Sequence, residues 1–143
     1  MKINRIDHIC IAVKDLEDAK KKWEPVLGKA APDETYVDEI AKVEVARYMI
    51  GQTGIELMQD TTGDGNTANF IAARGEGIML MGLNVDNARE AIEELDAQGY
   101  RIIEDPTHGK VLPSILGCDY GFVHPKSVNG VLLELIDYKW TDA

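Results

Sequence analysis

Asp7-His8-Ile9-Cys10-Ile11-Ala12-Val13-Lys14-Asp15 reads like Met79-Leu80-Met81-Gly82-Leu83-Asn84-Val85-Asp86-Asn87. Each is an apolar strand ending in valine and an acidic or amide turn, and each runs into a helical pattern. The copies are 72 residues apart, about half of the 143-residue chain. A period of this kind is the first thing to settle, because it decides the architecture.

Both helices carry start signals. Asp15 precedes Leu16, Ala19 and Trp23 at helical spacing, with Asp18 three residues on. Asn87 precedes Ala88, Ala91, Ile92 and Leu95, with Glu90 three residues on in a capping-box-like pattern. Pro25 predicts the end of the first helix near Glu24, and Gly99 the end of the second. Strands are predicted over Val43 to Ile50 and Gly54 to Gln59, then over Arg101 to Glu104, Cys118 to Val123 and Val131 to Asp137. Thr61 to Asn66 reads as a loop and Thr67 to Ala73 as a short helix.

The fold expected is α+β: two tandem βαβββ modules forming one curved mixed sheet, a cup with helices outside. A single domain, 1–143, is expected. Module 1 covers about 1–60, the linker and short helix about 61–77, and module 2 about 78–143.

Composition narrows the function classes. The chain is 45% hydrophobic and 28% charged, which is ordinary for a globular protein. Its net charge of −10 disfavours a nucleic-acid partner, which wants a basic surface. No membrane span or signal-peptide block is evident, so a cytoplasmic location is expected. Two cysteines, Cys10 and Cys118, do not make a secreted disulfide framework. Walker-type and Gly-x-Gly-x-x-Gly loops, a closed calcium loop and a serine nucleophile elbow are all missing.

Alternation puts His8 on one face with Cys10 and Ala12. Glu56 in Ile55-Glu56-Leu57-Met58 matches Glu134 in Leu133-Glu134-Leu135-Ile136, near the end of each repeat. A carboxylate inside an apolar run is costly to bury without partners. Each glutamate alone reads equally well as solvent-facing, and His8 alone as a hydrogen-bonded core residue. Their recurrence by repeat is what makes them a candidate constellation.

Arg5 to Val13, Gly75-Glu76-Gly77-Ile78, and His124-Pro125-Lys126-Ser127 followed by Gly130 to Leu135 resemble the methylmalonyl-CoA epimerases of the vicinal oxygen chelate superfamily. The resemblance spans nearly the whole chain. It implies an isomerase that epimerises the α-carbon of a methylmalonyl-CoA-like thioester through an enolate, in a homodimer. It implies metal ligands at His8, Glu56 and Glu134, with Glu134 also catalytic. The family's fourth ligand, a histidine, falls on Leu80, which cannot ligate. The ion would be manganese, cobalt, zinc or magnesium, and a metal-free site stays equally open.

The resemblance puts a second base at Val45. Glu44, one residue away, qualifies as catalytic only if a bulge corrects the register. Lys126 and His108 are candidate substrate contacts in turns, with plain turn chemistry as the alternative. Two further readings stay open: a non-catalytic binding or sequestering protein of the glyoxalase/bleomycin-resistance type, and a lyase or isomerase acting on another substrate.

Overall fold

A computed structural model describes residues 1–140 of the chain. The final residues of the expected second module, 141–143, lie outside them. The elements are β1 (Ile3–Ala12), α1 (Leu16–Leu27), β2 (Glu34–Asp38), β3 (Val43–Ile50), β4 (Thr53–Asp60), α2 (Asn66–Arg74), β5 (Gly77–Val85), α3 (Ala88–Ala97), β6 (Leu112–Pro113), β7 (Asp119–Val123) and β8 (Leu132–Ile136). Two compact units divide the chain. One comprises His8–Met79; the other comprises Met1–Asp7 with the chain from Leu80 onward. The break falls between Met79 and Leu80, and the first seven residues cluster with the later part of the chain.

In the His8–Met79 unit the strands run in the order β2-β3-β4-β1. β1 pairs parallel to β4, and β4, β3 and β2 pair antiparallel. One face of this sheet packs α1: Ile11, Val13, Ala46, Tyr48 and Leu57 bury against Leu16 and Ala19. The Tyr48 hydroxyl donates to Glu24 of α1 at 2.6 Å, and burial followed by Glu24 pushes its pKa well above the usual range.

In the other unit β5 pairs parallel to β8, then β8 with β7 and β7 with β6 antiparallel. Val85, Val123 and Leu135 pack against Ala88, Ala91 and Ile92 of α3. Gly121 lets α3 approach closely. A Cβ there would lie 2.8 Å from the Lys110 carbonyl oxygen and 2.9 Å from Ile92.

The helix starts are as expected. Asp15 accepts from the Asp18 N–H at 3.1 Å, and Asn87 from the Glu90 N–H at 3.0 Å. Two expectations need correction. α1 runs past Glu24 and contains Pro25 in its last turn. Proline there strands only the carbonyl of Lys21, on the exposed side where water can meet it, and Gly28 at φ +67° makes the stop. Arg101 to Glu104 is not a strand; Ile102 alone bridges to Val123. The Asp105 carboxylate accepts from the N–H groups of Thr107 and His108 and turns the chain there.

Gly121→Ala is expected to destabilise the fold by ~1–3 kcal/mol, because a methyl group meets backbone on one side and a packed isoleucine on the other. The urea midpoint should fall with an unchanged slope. An unmoved midpoint would show that α3 has room to shift.

Candidate functional site

The face of the His8–Met79 unit turned away from α1 carries its polar side chains in register. Cys10 on β1 stands opposite Glu56 on β4, and Glu56 opposite Arg47 on β3. One step along, His8 stands opposite Gly54, and Gly54 opposite Met49. All of the polar members are buried: His8 is 4% exposed, Cys10 2%, Arg47 5% and Glu56 2%.

Glu56 is the hub. The Arg47 Nη1 donates to its Oε2 at 2.5 Å, a buried ion pair. The Tyr36 hydroxyl, from β2, lies 3.3 and 3.4 Å from the two carboxylate oxygens. The Cys10 thiol lies 3.4 Å from Oε1. Arg47 is packed as well as paired. Its Nε approaches the Met49 sulfur at 3.4 Å, and its guanidinium lies over Gly54, where a Cβ would come within 2.8 Å of it.

The ligating atoms of His8, Cys10 and Glu56 all lie within 4.8 Å of one another, so these three could hold a metal ion. Thiolate and imidazole donors favour zinc or cobalt over magnesium or manganese. Charge argues against any of them. The Glu56 carboxylate is already balanced by Arg47 in a site closed to water. A divalent ion roughly 5 Å from that guanidinium would be repelled by about 7 kcal/mol at an effective dielectric near 20. As it stands, the donor set does not fit a divalent ion.

The second repeat keeps the register and changes the side chains. Glu134, 7% exposed on β8, stands opposite Gly82 on β5 and Phe122 on β7. Leu80 stands opposite Leu132, as His8 does opposite Gly54. Leu80 therefore holds the place of His8, Gly82 that of Cys10 and Phe122 that of Arg47. In each unit the glutamate lies on the face turned away from the packed helix.

The structure thus brings His8 and Glu56 together and buries Glu134 at the equivalent place in its own unit. It does not bring Glu44 to them. The β3–β4 ladder is unbroken from Val43–Asp60 to Ile50–Thr53, with no bulge, so Glu44 lies exposed on the α1 side with Ala46 and Tyr48. His108 is exposed and its Nδ1 lies 3.0 Å from Asp105, whose carboxyl the His108 backbone N–H and then this ring contact hold below its ordinary range. Lys126 is exposed in a 3₁₀ turn, its N–H donating to His124 Nδ1 at 3.0 Å. Desolvation, then Arg101 and Lys126, pushes the His124 pKa down.

Arg47, Tyr36 and the polar role of Cys10 were not anticipated. The signal for Arg47 was present: alternation along Val43 to Ile50 seats it, with Val45 and Met49, on the Glu56 side.

Residues 7–115 match the family profile described as Glyoxalase/Bleomycin resistance protein/Dioxygenase superfamily. The chain belongs to this superfamily. Among curated superfamily relatives, it is 33% identical over 138 residues to the uncharacterized Bacillus subtilis protein YqjC, covering 96% of this chain and 94% of that one. It is 31% identical over 139 residues to the mitochondrial methylmalonyl-CoA epimerase of Mus musculus, covering 94% of this chain and 73% of the relative. A solved Streptomyces coelicolor methylmalonyl-CoA epimerase variant in complex with 2-nitronate-propionyl-CoA matches with a TM-score of 0.86 and 25% identity over 99% of both chains. The fold expected from the repeat is the one this solved epimerase has.

Arg47→Ala is expected to cost ~3–5 kcal/mol, since it strands a buried carboxylate. The double variant Arg47→Met/Glu56→Leu should recover most of that loss in urea unfolding. A double variant no more stable than Arg47→Ala would mean that the pair matters for something beyond its charges.

Proposed function

We propose that this chain is an isomerase that moves the α-proton of an acyl-CoA thioester of the methylmalonyl-CoA kind. The observation that carries the reading is the buried glutamate kept at the same register position in both repeats, in a chain similar over its whole length to methylmalonyl-CoA epimerases. A carboxylate shielded from water suits abstraction of a weakly acidic C–H, because its basicity is not spent on solvent.

In this reading Glu134 is the base. It removes the α-proton next to the thioester carbonyl and leaves an enolate. A proton from solvent is then delivered to the opposite face, which inverts the carbon, and Glu134 gives its own proton to water. Glu56 is held by Arg47, Tyr36 and Cys10, and its task is to keep a positively charged group fixed where water is excluded. Fixed dipoles and charges aimed at a developing oxyanion are typically the largest contribution to such a reaction. Lys126, a flexible point charge on the surface, is proposed to meet an anionic part of the substrate. The protein is proposed to act as a homodimer in the cytoplasm. Among the described residues no helix is long and apolar enough to cross a membrane.

The test is exchange of the α-hydrogen of methylmalonyl-CoA in deuterated water, followed by mass spectrometry. The wild type should exchange it, and Glu134→Gln should slow exchange by ~10²–10⁴-fold. Exchange equal in both would remove Glu134 from the reaction. Tight binding of the thioester with no exchange at all would assign the chain a binding role instead.

A further inference from the structure

We infer that Arg47 is a built-in replacement for a metal ion: it closes the His8–Cys10–Glu56 cluster against divalent cations, and the native protein works without one. The inference concerns the cluster and holds whatever the substrate is. Three observations carry it. Three buried potential donors are gathered in one place, their ligating atoms within 4.8 Å of one another. The acidic member of that set is already ion-paired to a guanidinium at 2.5 Å. The guanidinium has a seat of its own, since the row position beneath it is Gly54, where any Cβ would collide with it.

An arginine cannot lose its charge at any accessible pH, so the block is permanent. It also differs from a metal in what it offers. A guanidinium presents fixed N–H donors in a plane, whereas an ion presents open coordination positions. A ligand oxygen would meet hydrogen bonds and a unit charge here rather than an exchangeable inner sphere.

Cobalt(II) is the probe, because a thiolate ligand gives it a near-ultraviolet charge-transfer band that reports Cys10 directly. After chelator treatment, the wild type should take up no cobalt at this site and show no such band. Arg47→Met, which clears the charge, should bind about one equivalent with an affinity at least ~10-fold higher than the wild type. It should show the band, lose it on Cys10→Ser, and unfold at a higher temperature when cobalt is present. Arg47→Lys, which keeps a cation, should stay as cobalt-poor as the wild type.

The inference fails if the wild type binds one equivalent through Cys10. It fails too if folded Arg47→Met binds none, or if Arg47→Lys binds as well as Arg47→Met. Arg47→Gln serves in place of the methionine variant if that chain does not fold. If neither folds, the wild-type measurement decides: one equivalent bound through Cys10 overturns the inference, and none bound supports it.

Discussion

Glu56 is a carboxylate at the centre of a sheet face from which water is almost wholly removed. A lone buried charge of that kind would cost several kcal/mol, a large share of a small domain's stability. Arg47 makes it tolerable, and the arrangement that delivers Arg47 constrains much of the surrounding structure. β3 must pair with β4 in one register, because a slip of one residue would turn the guanidinium to the α1 face. β1 must run parallel to β4 with Cys10 abreast of the carboxylate. β2 must reach far enough for the Tyr36 hydroxyl to complete the set. Three strands and an edge strand are thus held to one alignment by a single acidic side chain.

The two repeats show how a duplicated scaffold can keep its geometry while its chemistry diverges. The pairings Cys10–Glu56–Arg47 and Gly82–Glu134–Phe122 are the same rows in the two units. The first is filled with a thiol, an acid and a guanidinium, the second with a glycine, an acid and an aromatic ring. Only the glutamate persists. The backbone fixes where a side chain can stand, and the residue placed there decides whether that position binds a cation, carries one or packs. This is the physical content of the general rule that fold does not dictate function.

Much of this was legible in the residues themselves. The repeat, the helix starts at Asp15 and Asn87, the span of β3 and the shared glutamates follow from periodicity and capping, which are local properties. What escaped was of a different kind. Arg47 reads as one charged residue in a strand, and nothing local says that its partner lies across the hairpin or that Gly54 leaves it room. β2 escaped because Glu34 and Asp38 make its ends look like loop. Pro25 misled because a proline in an exposed last turn costs little, and Arg101 to Glu104 because an Asp-Pro turn stops the strand that its isoleucines suggest.

The seat beneath the guanidinium has an implication for how this lineage can drift. Positions 47 and 54 are neighbours in space but separated by a hairpin, and the arginine's present seat depends on the glycine. A side chain larger than hydrogen at 54 obliges the guanidinium to shift from its seat, while loss of the arginine leaves a hole above a bare backbone. Descendants should therefore inherit the two as a linked couple, exchanging both or neither. A relative with a bulkier residue opposite His8 must seat the side chain at position 47 differently.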